Sequence, residues 1–227
     1  MNFKKKILFL FSYLITVAVL KAQENDFAQY NDGSYTLSTF SKTSKSIKGS
    51  PFIQDQHTPL KISSFKNDLL VGKYNAHQDY FEIKLNNEIK SFIPDKYSLG
   101  KDVFLKSNKV YRAFYYDDNN IGFFVITFNS KKATLLTKEQ ISFKKAQKPT
   151  TGYDKYKPAA FHKEKDVFYI HFKNSNNLAI KLPTNKKKFI NLFGKNSQNI
   201  KKFIKSKKIN IRKKENIKKV LIFYSNL

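Results

Sequence analysis

The feature that most constrains this fold is a period-two alternation of apolar and polar residues, which recurs between Leu60 and Leu182 and stops at Pro183. Successive side chains of a strand point to opposite faces, so such alternation marks a sheet with one buried face. Leu60-Lys61-Ile62-Ser63-Ser64-Phe65 begins the series, and 69–74, 80–85 and 89–93 continue it. Asn67-Asp68 and Asn86-Asn87 part these runs as turns, because Asn and Asp bond their own backbone and tolerate left-handed geometry. Further runs occupy 103–105, 110–116, 121–128, 133–137, 141–143, 167–172 and 178–182. Short strands joined by tight turns predict an antiparallel meander, either a twisted sheet or a partly closed barrel. Asp117-Asp118-Asn119-Asn120 is read as a hairpin loop, since its acid pair lacks EF-hand calcium spacing.

At Pro183 the period changes from two to 3.6. Thr184 is expected to cap a helix that groups Phe189, Ile190, Leu192 and Phe193, with Gly194 as its stop. Ser197 is expected to cap a second helix carrying Ile200, Phe203 and Ile204. A third places Ile217, Val220, Leu221 and Tyr224 on one stripe. Lys201, Lys202, Lys205, Lys218 and Lys219 fall on the opposite faces. The predicted class is therefore α+β, an antiparallel sheet with about three short helices docked on it. Residues 23–48 form a polar lead-in, 49–183 the β domain and 184–227 the Lys-rich helical segment. Within the β domain, 145–160 holds Pro149, Gly152 and Pro158 and reads as a long loop, with Tyr153 and Tyr156 as recognition candidates.

The first twenty-two residues have their own logic. Lys4-Lys5-Lys6, an apolar run from Ile7 to Leu20, and Lys21-Ala22 before Gln23 match a cleavable secretory signal peptide. As a helix the run would span about 21 Å, short of a hydrocarbon core of about 30 Å. Export to the periplasm or beyond is expected, and the mature chain carries no later stretch apolar enough to span a membrane. Cysteine is absent, which excludes disulfides, thiolate zinc sites, cysteine nucleophiles and a lipid tether on an N-terminal Cys. The exported chain must then rest on its hydrophobic core.

The net charge is +26, or +22 without the four lysines of the signal. Residues 184–227 carry fourteen basic residues against Glu215 and so hold +13 of it. This points to anionic lipid or polysaccharide as partner of the Lys-rich C-terminus. Nucleic acid fits poorly. Among 43 basic residues only Arg112 and Arg212 offer the planar guanidinium fork that reads phosphates and bases bidentately.

Catalytic patterns are missing. The seven glycines stand apart from one another, so no Gly-rich phosphate loop exists, and no His-Glu-x-x-His or Gly-x-Ser-x-Gly occurs. No catalytic, cofactor or metal residue is assigned. The leading expectation is a non-enzymatic envelope-binding or structural protein. A hydrolase is the first alternative, with His57 near Asp55 and His77 near Asp79 as its acid–base groups. Glu82 and Glu88 share a predicted hairpin but read as solvent-facing. A lipid carrier, its β cavity lined by some of the 22 phenylalanines, is the second.

Several short motifs carry a resemblance. Lys21-Ala22-Gln23 is the cleavage end, Gly49-Ser50-Pro51-Phe52 precedes the meander, and Tyr74-Asn75 closes a strand. Ile222-Phe223-Tyr224-Ser225-Asn226-Leu227 follows two lysine-rich helices. Over most of the mature chain these motifs resemble uncharacterised secreted β-rich proteins of Bacteroidetes-type bacteria. The resemblance implies export and a β-rich body, and no activity or site. The chain closes on a predicted helix where many cell-surface proteins of these bacteria carry a β-rich sorting domain, so free release is expected.

Overall fold

The computed structural model describes residues 37–38, 47–65, 70–85, 88–117, 119–149 and 155–227. The signal segment, the turns at 67–68 and 86–87, Asp118 and Tyr153 lie outside the described residues. In chain order the strands are β1 Leu37–Ser38, β2 Thr58–Ile62, β3 Leu70–Asn75, β4 Tyr80–Leu85, β5 Glu88–Phe92, β6 Asp102–Leu105 and β7 Val110–Tyr116. They continue as β8 Asn120–Asn129, β9 Ala133–Lys138, β10 Ile141–Lys144, β11 Ala160–Lys163, β12 Val167–Phe172 and β13 Ile180–Lys181. The helices α1 Lys186–Asn191, α2 Ser197–Ser206 and α3 Lys214–Ser225 follow.

Eleven strands join in one antiparallel sheet, ordered β1-β5-β4-β3-β2-β6-β7-β8-β9-β12-β13, which curls into a half-barrel. After β5 the chain returns across the sheet, so β6 pairs with β2 and Leu105 lies opposite Leu60. Alternation decides which side faces the curl: Phe81, Phe92 and Phe123 are fully buried there, with ring centroids 5.1 and 5.4 Å apart for Phe81–Phe123 and Phe92–Phe123. Each such edge or tilted pair adds about 0.5–1.5 kcal/mol beyond the burial itself.

Strand β9 breaks the alternation because it is buried on both sides, all six residues from Ala133 to Lys138 included. On one face Leu135 and Ile170 receive Ile200 and Ile204 of α2 and Ile217, Val220 and Leu221 of α3. On the other, Leu136 packs with Phe114, Phe124 and Tyr169. The amphipathic stripes thus dock on the sheet as the α+β reading expects, each buried aliphatic side chain contributing about 1.5–3 kcal/mol.

The helix ends differ in detail from the sequence reading. Asn185, not Thr184, caps α1, its Oδ1 accepting the Lys188 N–H at 3.1 Å. Gly194, at φ +51°, opens a 3₁₀ turn over Gly194–Asn196 instead of closing α1. Ser197 donates its hydroxyl to the Gly194 carbonyl at 2.5 Å and caps nothing.

Three strand assignments also change. Leu37–Ser38, inside the polar lead-in, pairs with β5 through backbone groups, a bond that needs no apolar pattern. The run 178–182 contracts to β13, with Leu178 bridging to Tyr115. β10 leaves the meander and pairs with β11 in a separate two-stranded sheet. Within the predicted loop 145–160, the described residues 145–149 and 155–160 extend this pairing, held by reciprocal backbone bonds between Gln147 and Lys157 of 2.8 and 3.0 Å.

Candidate functional site

A cavity of about 390 Å³ opens beside β3 and β4. His57, just before β2, and His77, in the turn after β3, both line it, so two of the four hydrolase candidates do converge. The turn is set locally: Asn75 Oδ1 accepts the backbone N–H groups of His77 and Gln78 at 3.0 and 2.9 Å. His77 Nδ1 then lies 3.0 Å from the Ile141 carbonyl, a position only a protonated nitrogen fills favourably, and its ring meets Phe161 at 5.2 Å.

The carboxylate beside His57 is Glu82. Its Oε1 lies 3.0 Å from His57 Nε2 and 3.3 Å from Lys73 Nζ, its cross-strand partner. Lys73 also sits 3.8 Å from the centre of the Phe52 ring. The sequence signal for Glu82 was available in principle, since alternation plus a four-residue turn places Lys73 opposite it. Glu88 is not part of this group and pairs with Lys90 at 2.6 Å. The described lining residues include no serine, threonine or cysteine; they form a polar, aromatic-walled recess with an imidazole–carboxylate contact. Burial raises the Tyr80 hydroxyl above its ordinary value, which keeps it protonated.

The other two candidates lie elsewhere. Asp55 lines an adjoining hollow of about 270 Å³ with Lys73 and Phe161. Asp79 adopts φ +60°, a left-handed geometry that Asp tolerates, and turns its carboxylate away from the histidines. There it accepts the Tyr74 hydroxyl, the Phe123 N–H at 3.3 Å and the Lys138 ammonium at 2.5 Å. Lys138 is only 4% exposed, donates also to the Phe123 carbonyl at 2.9 Å, and lies 4.8 Å from the centre of the Phe124 ring. Burial lowers its pKa, while Asp79 pushes it back up. Burial, then Asp79, holds the Tyr74 hydroxyl well above its ordinary range. A parallel couple joins Glu139 to the Tyr111 hydroxyl and to Lys109 at 2.7 Å. These enclosed groups satisfy one another, which is the signature of structure.

The remaining histidines play separate parts. His171 is buried, against the Leu178 carbonyl at 3.1 Å and the Phe114 ring, and burial lowers its pKa. His162 is exposed on β11.

The helical face carries two grooves, one on either side of α2. The first, about 550 Å³, lies between α1 and α2, with Ile190 among its lining and Lys186, Lys187, Lys201 and Lys205 around it. Among the described residues none of these four lysines pairs with a carboxylate; Glu215, the one acid of the helical segment, is taken by Lys218 at 3.0 Å. The second, about 440 Å³, runs between α2 and α3, where Phe203 and Phe223 stack at 4.2 Å and Ile222 is 49% exposed beside Lys207 and Lys219. Uncompensated lysines bordering apolar surface give a face that attracts anions and offers them a greasy footing.

Comparison with protein-family models, with curated proteins and with solved structures returns no match.

Proposed function

We propose that this chain is an exported, non-catalytic binding protein of the cell envelope that rests on an anionic lipid surface through its helical face. The carrying observation is the pair of lysine-bordered apolar grooves flanking α2. A basic helix lies at a membrane interface when its apolar side enters the headgroup boundary and its lysines meet anionic lipid. Each such lysine contributes about 1 kcal/mol and acts within a Debye length. The signal-like segment 1–22 and the resemblance to secreted bacterial proteins support export. No helix of the described residues is long and apolar enough to cross a bilayer, so attachment by these helices would be peripheral. The lipid-carrier alternative loses ground because the phenylalanines it would place around a cavity pack on one another inside the curl.

The test is co-sedimentation with vesicles of phosphatidylglycerol and phosphatidylcholine against phosphatidylcholine alone. Binding is expected to the anionic vesicles only, to fall at 0.5 M salt, and to weaken at least about a hundredfold when Lys186, Lys187, Lys201 and Lys205 are all changed to Gln. Equal binding to both vesicle types at low salt would end the proposal.

Convergence of His57, His77 and Glu82 in one cavity favours a second reading, a hydrolase whose His57 activates water. Turnover of a chromogenic ester panel that vanishes in His57→Gln would establish it; no turnover, or turnover unchanged by that substitution, dismisses it.

A further inference from the structure

The β10–β11 hairpin carries a second basic recess, apart from the helical grooves. Three chain segments meet there. Lys144 and Lys145 close β10, Tyr156 and Lys157 lead into β11, and Lys48 arrives from the start of the β domain. Backbone bonds fix all three. Gln147 and Lys157 bond reciprocally, the Lys48 N–H donates to the Ala159 carbonyl at 3.0 Å, and the Phe161 N–H returns to the Lys48 carbonyl at 2.8 Å. The recess so formed measures about 650 Å³. Among the described residues none of its four lysines pairs with a carboxylate, and Tyr156 is 59% exposed. Tyr156 thus stands largely exposed beside these lysines.

We propose that this recess binds an acidic saccharide, a short run of uronic acid units. The tyrosine ring offers a flat apolar face to the C–H side of a pyranose, the Gln147 amide offers a donor and an acceptor to hydroxyls, and the lysines meet the carboxylates. Each lysine meets a carboxylate as a mobile point charge, which asks for no fixed carboxylate orientation along the chain. A single-stranded nucleic acid would require several stacking platforms in series, and among the described lining residues Tyr156 is the one large aromatic, with the His162 imidazole beside it.

The experiment is isothermal titration of the full chain with an octamer of galacturonate, a neutral maltooctaose and a DNA octamer, at low and moderate salt. The galacturonate octamer is expected to bind, the neutral sugar not to. Tyr156→Ala should weaken binding about two- to tenfold, the loss of one ring contact. The pair Lys144→Gln and Lys157→Gln should weaken it further and flatten the salt dependence. All three positions are exposed, so folding is unaffected, and circular dichroism verifies it. Lys106→Gln with Lys131→Gln, both exposed and outside every recess described, serves as a charge-matched control and should leave binding within twofold. Equal weakening by that control would overturn the proposal in favour of diffuse charge. DNA binding as tight as galacturonate binding would also overturn it, as would binding indifferent to Tyr156. The vesicle experiment reads the helical lysines alone, so either idea can fail without the other.

Discussion

Replacing Asp79 with Ala removes three hydrogen bonds at a stroke, one of them an ion pair. The carboxylate holds the Lys138 ammonium at 2.5 Å, the Phe123 N–H at 3.3 Å and the Tyr74 hydroxyl. Lys138 is 4% exposed and cannot swing to water, so the substitution strands a charge among Phe124, Tyr116 and backbone. Removing one partner of a buried pair costs about 3–5 kcal/mol. Asp79 itself is 22% exposed, and this partial screening places the expected loss near the lower end, about 3 kcal/mol. The orphaned Tyr74 hydroxyl accounts for about 1–3 kcal/mol of that, within the total and not added to it. Lys138→Met alone should cost less, because Asp79 keeps Tyr74 and Phe123 and reaches solvent. The double variant removes both charges, and its loss should fall short of the summed single losses by about 1–3 kcal/mol. Urea unfolding followed by far-ultraviolet circular dichroism measures all three. If Asp79→Ala costs under about 1 kcal/mol, or the cycle shows no coupling, the network is not the structural element described here.

Two further outcomes follow from the same region. At Gly122 an added Cβ would lie 2.6 Å from both Asp79 Oδ2 and Lys138 Nζ and 2.8 Å from Tyr116, so Gly122→Ala should destabilise by about 1–3 kcal/mol through overpacking, read from the urea midpoint; an unchanged midpoint would contradict the close approach. The buried tyrosines predict alkaline instability: Tyr74 and Tyr111 are held well above their ordinary 10.0 and Tyr169 is pushed up to about 12, burial first in each case. The native state keeps these protons after the unfolded chain has released them, so their contribution is intact below about pH 10 and is lost as pH rises toward the folded values. Lys138, its pKa lowered, acts with the opposite sign, and its effect is complete by the ordinary lysine value of 10.5. Absorbance at 295 nm should show Tyr74 and Tyr111 ionising only as the fold is lost; all thirteen tyrosines titrating together near pH 10 in folded protein would refute the burial argument.

Periodicity by itself determined the class of this fold. Two-residue alternation states which face of a strand is apolar, and the change at Pro183 states where strands give way to helices, because these are local consequences of backbone geometry. β4, β7 and β12 accordingly fall where their apolar runs predict. The sequence also confined its positive charge to known positions and excluded cysteine chemistry. Pairing was decided elsewhere. Nothing in 160–163 announces a strand; β11 exists because β10 needs a partner after leaving the main sheet. Nor does order along the chain reveal that β5 is followed by a return to β2, since hydrogen-bond partners in a sheet are set by closure of the whole core. The site residues divide the same way. His57 and His77 stood out as residue types, but their carboxylate is Glu82, fixed by the β3–β4 register, while Asp79, two residues from His77, is carried by one left-handed φ to Lys138, 59 residues away. Sequence proximity cannot give such assignments, because side-chain direction in a turn depends on a single dihedral and its partner arrives only with the packed sheet.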